Sequence, residues 1–156
     1  MVKKHYQIAV ADDKKIAKAI AKNQPVSVKY STELCREIKG KPVAKAEEML
    51  ERIINMEEAL PLRKFNKKVS HRKGDARSSV KSGRYPIKVC KVFKGLLESV
   101  KANADFKGLD ADSLVITHCF ASQGFRRVAF QPKGKISGKK RKRKSAHIEV
   151  IVREAK

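Results

Sequence analysis

Acidic side chains are scarce beside basic ones in this 156-residue chain: 16 Asp plus Glu face 38 Lys plus Arg, a formal net charge of +22. An excess of that size calls for a polyanionic partner, because the cations repel one another without one. Tryptophan is absent and aromatic residues make up 6% of the chain, so any stacking surface rests on a few rings. The three cysteines, Cys35, Cys90 and Cys119, are odd in number and widely spaced. That excludes an internal disulfide framework and the paired spacings of a zinc site, and reads as reduced, core-filling thiols. Long apolar runs are missing too, the longest aliphatic stretches being residues 8–11 and 114–116, far below the ~18 a membrane-spanning helix needs. With no apolar targeting segment after Met1, the expected location is cytoplasmic.

Catalytic patterns are equally thin. There is no glycine-rich phosphate loop, nucleophile elbow or helical metal motif. His118 and Cys119 are neighbours on an expected strand and point to opposite faces, which spoils them as a nucleophile pair. Asp110 and Asp112 sit in a turn without a third ligand and read as turn chemistry. The sequence predicts no enzyme, no metal, no cofactor, no small-molecule substrate and no membrane partner.

What is present is a charge that is strongly segregated. Residues 63–94 hold twelve Lys/Arg and one acid, and residues 126–144 hold ten and none. Those two segments carry +21 of the +22, while the remaining 105 residues balance 16 bases against 15 acids. The balanced part looks like a solvated globular body, long enough for one domain.

The expected organisation is an N-terminal extension over residues 1–30, with a stretch at 12–22 of possible helical character, and a single α+β domain over 31–156. Ser31 is read as capping a helix at 31–39 that ends at Gly40. A second helix, at 42–59, opens on Pro42 and carries Val43, Ala46, Leu50, Ile53 and Ile54 at helical spacing. Residues 61–85 lack a sustained apolar period and are read as a basic surface loop. The third helix, at 86–104, has the best stripe, Val89, Phe93, Leu96, Leu97, Val100 and Ala104. Residues 114–121 and 147–152 read as strands rich in branched side chains. Reversal near Lys133 and Gly134 pairs residues whose numbers sum to 267, placing Val115, Thr117, Cys119 and Ala121 against Val152, Val150, Ile148 and Ala146, with His118 opposite Glu149. This makes an extended hairpin over 112–153 with its tip near 131–136, whose basic distal part is ordered by phosphates rather than by packing.

The residues then match a pattern. Arg36-Glu37-Ile38-Lys39-Gly40-Lys41-Pro42-Val43, His71-Arg72-Lys73-Gly74, Gly83-Arg84-Tyr85-Pro86, Asn103-Ala104, Gly108-Leu109-Asp110, Leu114-Val115-Ile116 and His147-Ile148-Glu149-Val150 occur in this order. Over residues 28–153 the chain resembles the large-subunit ribosomal protein family known as protein twenty-two in bacteria, and its longer 61–85 loop looks archaeal. The resemblance implies three helices packed on a small three-stranded antiparallel sheet, with a long basic hairpin reaching through ribosomal RNA toward the peptide exit tunnel. Implied partners are large-subunit ribosomal RNA, neighbouring ribosomal proteins and the nascent polypeptide. The tip departs from the family pattern, since only Gly134 and the following Lys135 align.

Candidate RNA-contacting residues are Arg36, Lys39 and Lys41 around the first helix end, and Lys64, Lys67, Lys68, His71, Arg72, Lys73, Arg77, Lys81, Arg84 and Tyr85 in the basic loop. On the hairpin they are Arg126, Arg127, Lys133, Lys135, Lys139, Lys140, Arg141, Lys142, Arg143 and Lys144. Tunnel-tip candidates are Gln131, Pro132, Lys133, Gly134 and Lys135. The rival readings are a DNA-compacting protein, or another general nucleic-acid binder, and a small RNA-processing enzyme.

Overall fold

A computed structural model describes residues 6–8, 14–72, 79–135 and 138–155. Among the described residues five strands and three α-helices follow the chain in the order β1 (Ile16–Gln24), α1 (Val28–Ile38), α2 (Val43–Ile54), β2 (Leu60–Pro61), β3 (Gly83–Arg84), α3 (Ile87–Phe106), β4 (Leu114–Phe130) and β5 (Lys140–Glu154). The fold is α+β, with a three-stranded antiparallel sheet in the order β1-β5-β4 and a separate two-residue ladder between β2 and β3.

The helices cover one face of the sheet, α1 against β4 and α3 against β1, with α2 lying on α3. The α3 stripe expected from sequence is buried throughout, with Phe93, Leu97 and Val100 fully enclosed beside Leu34, Ile38, Leu50 and Ile53. From β5 the even-numbered residues Ala146, Ile148, Val150 and Val152 close the core, as a period of two requires. Exclusion of these apolar side chains from water is the main force holding the body together.

Four sequence expectations are corrected. The stretch expected to be helical at 12–22 is not so over its described residues: from Ile16 it forms β1, an edge strand paired with β5 through Ile16↔Arg153 to Ala21↔Ile148. Within the expected extension, residues 16–24 thus belong to the sheet and residues 28–30 to α1, and residues 1–5 and 9–13 lie outside the described residues. Ser31 does not cap α1, which begins one turn earlier. It is buried inside the helix and donates its hydroxyl to the Ser27 carbonyl at 2.9 Å. The second helix stops at Ile54, where Met56 turns left-handed at φ 64° and the Arg52 carbonyl accepts from the Glu57 and Glu58 amides.

The hairpin register is the fourth. Two irregularities on β4, between Ile116 and His118 and between Gln123 and Arg126, shift the pairing, so Ile116 faces Val152, Cys119 faces Val150 and Ala121 faces Ile148. Each inserts a residue into β4 only, which bends that strand. At the first, Gly40, left-handed at φ 82°, donates its amide to the Ile116 carbonyl at 2.7 Å, and the Ile116 amide donates to Lys41 at 3.0 Å. The α1–α2 turn thus takes over the local backbone bonds. Leu114 and Ile116 point inward in place of the expected Val115 and Thr117. His118 stands opposite Ile151 and not Glu149, yet its Nε2 lies 2.9 Å from the Glu149 carboxylate.

Candidate nucleic-acid interface

Two structures carry the segregated charge. The first is a lobe built from the 61–85 segment. Its ends are zipped by Leu60↔Arg84 and Pro61↔Gly83, by the Leu62 amide donating to Ser82 at 3.0 Å, and by a bridge between His71 and Ser82. Leu60 and Leu62 are buried, so the surface loop is anchored to the body. The anchor comes from the opposite charge. Glu33 on α1, 1% exposed, accepts the backbone amides of Arg63, Lys64 and Phe65 at 3.2, 2.7 and 2.5 Å. Glu37, one turn on, binds the Arg63 guanidinium at 2.9 Å. A carboxylate buried this way is satisfied by several charge-assisted bonds, and it fixes where the basic lobe begins.

Within the lobe Arg72 lies over the Tyr85 ring, 5.1 Å from its centroid, with Nε toward the Gly83 carbonyl. Arg84 donates to the carbonyls of Ser70 at 3.0 Å and Gly83 at 2.7 Å. These two arginines hold the lobe's own backbone. Lys64, Lys67, Lys68, His71 and Lys81 are exposed, and Lys64 and Lys29 both approach the Phe65 ring, at 5.5 and 6.0 Å. Arg36 and Lys39 are exposed at the end of α1, while Lys41 is half-buried with its Nζ 3.5 Å from the Met49 sulfur. Lys73 and Arg77 lie outside the described residues.

The second structure is the distal hairpin. β4 continues beyond Ala121 to Phe130, about 30 Å at strand rise, paired with β5 from Arg126↔Lys144 to Phe130↔Lys140. No side chain from residues 122–135 or 138–145 is buried, so packing does not hold this arm. Arg126, Arg127, Lys133, Lys135, Lys139, Lys140, Arg141, Lys142, Arg143 and Lys144 are all exposed, and among the described residues none forms an ion pair. Beyond the strands, the Gln131 amide donates to the Lys139 carbonyl at 3.1 Å, the Gly138 amide donates to Gln131 at 2.9 Å, and Arg141 bonds the Gln131 side-chain oxygen. Pro132, Lys133, Gly134 and Lys135 are exposed at this end.

The arm is joined to the body by a polar knot at the second β4 irregularity. Asn23, at the end of β1 with φ 53°, accepts the Phe125 amide at 3.1 Å and the Ser145 hydroxyl at 3.4 Å, while its own amide donates to His147 Nδ1 at 3.1 Å. A Cβ on Gly124 would stand 2.7 Å from the Ser145 oxygen and 2.8 Å from the Asn23 oxygen, which is why only glycine fits there without displacing the knot.

Nothing resembling a catalytic centre accompanies these surfaces. The Asp110 carboxylate accepts the Asp112 amide at 3.2 Å, as turn chemistry predicts. Among the described residues no three His, Cys, Asp or Glu side chains are grouped so as to hold a metal ion, and no helix is long and apolar enough to cross a membrane. Burial pushes the Cys90 thiol up to about 12, and burial with the Cys35 thiol beside it raises Cys119 well above its ordinary value, which keeps both protonated and unreactive.

Glu33, Glu37, the Asn23 knot and Lys29 were not identified from sequence. An acid at Glu33, next to Leu34 on the inward side of a helix, was the one available signal.

An α+β body that projects a two-stranded cationic arm and carries a second cationic lobe defines a class of architecture in which the basic elements stand outside the core. The profile of the ribosomal protein L22p/L17e family matches residues 19–153, and the chain belongs to that family. It is 38% identical over 151 residues to the Large ribosomal subunit protein uL22 of Staphylothermus marinus, covering 96% of each chain. To the proteins of the same name from Ignicoccus hospitalis and Methanopyrus kandleri it is 39% identical, covering 96% of this chain and 96% and 95% of theirs. Membership places the chain among structural ribosomal proteins and not among enzymes.

Proposed function

We propose that this protein is a structural component of the large ribosomal subunit that binds large-subunit ribosomal RNA, holds separate RNA segments together during assembly, and brings its hairpin end to the peptide exit tunnel. One observation carries the reading. An arm about 30 Å long holds ten cations, no acid and, among its described residues, no buried side chain, so its ordered environment must come from outside the chain. Phosphates supply the missing counter-charge, and cations on a fixed framework bind them with release of counterions.

In this reading the exposed lobe residues Lys64, Lys67, Lys68, His71 and Lys81, with Lys73 and Arg77, contact RNA on one side of the body, beside Arg36 and Lys39. Arg72, Arg84 and Tyr85 shape that surface while keeping part of their cationic and ring area available. Lys41 contributes at its edge. The arm cations contact RNA along the hairpin. Gln131, Pro132, Lys133, Gly134 and Lys135 lie where nascent chains pass, and neighbouring ribosomal proteins adjoin the body.

The test is competition binding of the purified protein to a large-subunit ribosomal RNA transcript against duplex DNA of equal phosphate content, across a series of KCl concentrations. Strong preference for the transcript, with affinity falling steeply as salt rises, is the expected result. Equal affinity for duplex DNA overturns it in favour of a DNA-compacting protein.

A further inference from the structure

The basic arm has two chemically different faces. Along β5 the sequence reads Lys140-Arg141-Lys142-Arg143-Lys144, and strand residues alternate between faces. The extra residue of the irregularity between Gln123 and Arg126 lies on β4, and β5 runs from Ala146 to Lys144 without insertion, so Lys140, Lys142 and Lys144 continue the helix-covered face of Ala146, Ile148 and Val150. Arg141 and Arg143 continue the other face, that of Ser145, His147 and Glu149. Across the ladder, Arg126, Val128 and Phe130 pair with the three lysines, and Arg127 and Ala129 pair with Arg143 and Arg141. One face is therefore arginine only, with Ala129 as its small neighbour. The other mixes three lysines and one arginine with two exposed apolar side chains, Val128 and Phe130.

Arginine and lysine differ in what they ask of an anion. The guanidinium is a rigid planar fork that grips phosphate through two parallel bonds and stacks on bases, whereas the ammonium is a hydrated point charge without directional demand. The arginine face also stores repulsion, since Arg127 stands directly opposite Arg143 and like charges so placed destabilise a strand pair. Arg141 and Arg143, two residues apart, stand about 7 Å from each other along the strand, comparable with the separation of successive phosphates on one nucleic-acid strand.

We propose that the arginine face of Arg127, Arg141 and Arg143 is the geometry-selective RNA-gripping face of the arm, docking on the phosphates of folded RNA, while the lysine face supplies attraction to any polyanion. This rests on the ribosomal reading above and specifies which side chains give the arm its selectivity.

Two variants of unchanged net charge test it. R127K/R141K/R143K replaces forks by point charges, and K140R/K142R/K144R does the reverse; all six positions are exposed, and circular dichroism confirms that both fold. Binding to the large-subunit RNA transcript and to duplex DNA is measured across KCl concentrations. The expected result is a loss of about tenfold or more in transcript affinity for the first variant, with its salt slope unchanged because the number of cations is unchanged. The second, which keeps all three arginines, should lose far less transcript affinity than the first. Mass mapping after phenylglyoxal treatment of the parent complex should show all three arginines protected. If the first variant keeps parental affinity, or both lose equally, the face assignment is overturned while transcript preference over DNA leaves the broader reading standing. If the parent protein shows no such preference, both fail.

Discussion

The body and the arm of this protein are made of the same two strands, yet different forces hold them. Up to Ala121 and from Ala146 onward, β4 and β5 bury alternate residues beneath three helices. Past those points the hairpin, its end included, has ten cations and no buried side chain among the described residues. A continuous hairpin can thus change from a structure stabilised by its own packing to one that presents charge to a partner, and the change falls at the Asn23 knot. The lobe is intermediate, cationic on its surface but tied down by Leu60, Leu62 and the buried Glu33 carboxylate.

Substitutions in the body, the lobe and the arm should separate these forces by the size of their effect on the body. Phe93→Ala should be the largest: the ring is fully buried, and its removal should destabilise the fold by about 3–5 kcal/mol, read as a lowered denaturant midpoint. An unaltered midpoint would show that α3 does not carry the core. Alkali should act next. Because burial holds Cys90 protonated up to about 12 against an ordinary 9.0, the unfolded thiol releases its proton first, so stability present below pH 9 is lost as pH rises toward 12. Melting profiles across that range should fall less steeply for Cys90→Ala than for the parent.

Glu33→Gln should follow, at about 1–3 kcal/mol, since a neutral amide replaces a carboxylate that accepts three backbone amides. Limited proteolysis should cut the lobe faster in this variant, and unchanged cleavage would mean the lobe is held otherwise. Replacing residues 139–144 by Ser should leave the melting midpoint in place while weakening RNA binding and flattening its salt dependence; loss of helical circular dichroism would contradict the separation of arm from body. Lys94→Ala removes an ion pair to Glu51 in which both side chains are well exposed, and no measurable shift in melting is expected.

The helices were readable because apolar spacing alone decides them: the stripe from Val89 to Ala104 needed no tertiary information. β1 was not, because Ile16, Ala17, Ile20 and Ala21 satisfy a helical spacing while Ala17, Ala19 and Ala21 satisfy an alternating one, and only pairing with β5 decides. The register failed for a comparable reason. Gly124 was a visible hint of the second irregularity, but the first follows from the α1–α2 turn docking on Ile116, which no local residue announces. Net charge marked out the two cationic surfaces as a whole, whereas reading residues 139–144 as one basic run hid the alternation of Lys and Arg that divides the arm into two faces. Arg72 and Arg84 looked like free RNA contacts until their bonds to the lobe's own carbonyls were in view.

The central claim is that the cationic lobe and arm serve ribosomal RNA in the large subunit. Its most direct test is sedimentation of the native protein from its own cells through a sucrose gradient after a high-salt wash, quantified against subunit RNA. The account predicts near-stoichiometric migration with the large subunit. Migration with bulk DNA, or release into the soluble fraction, would contradict it.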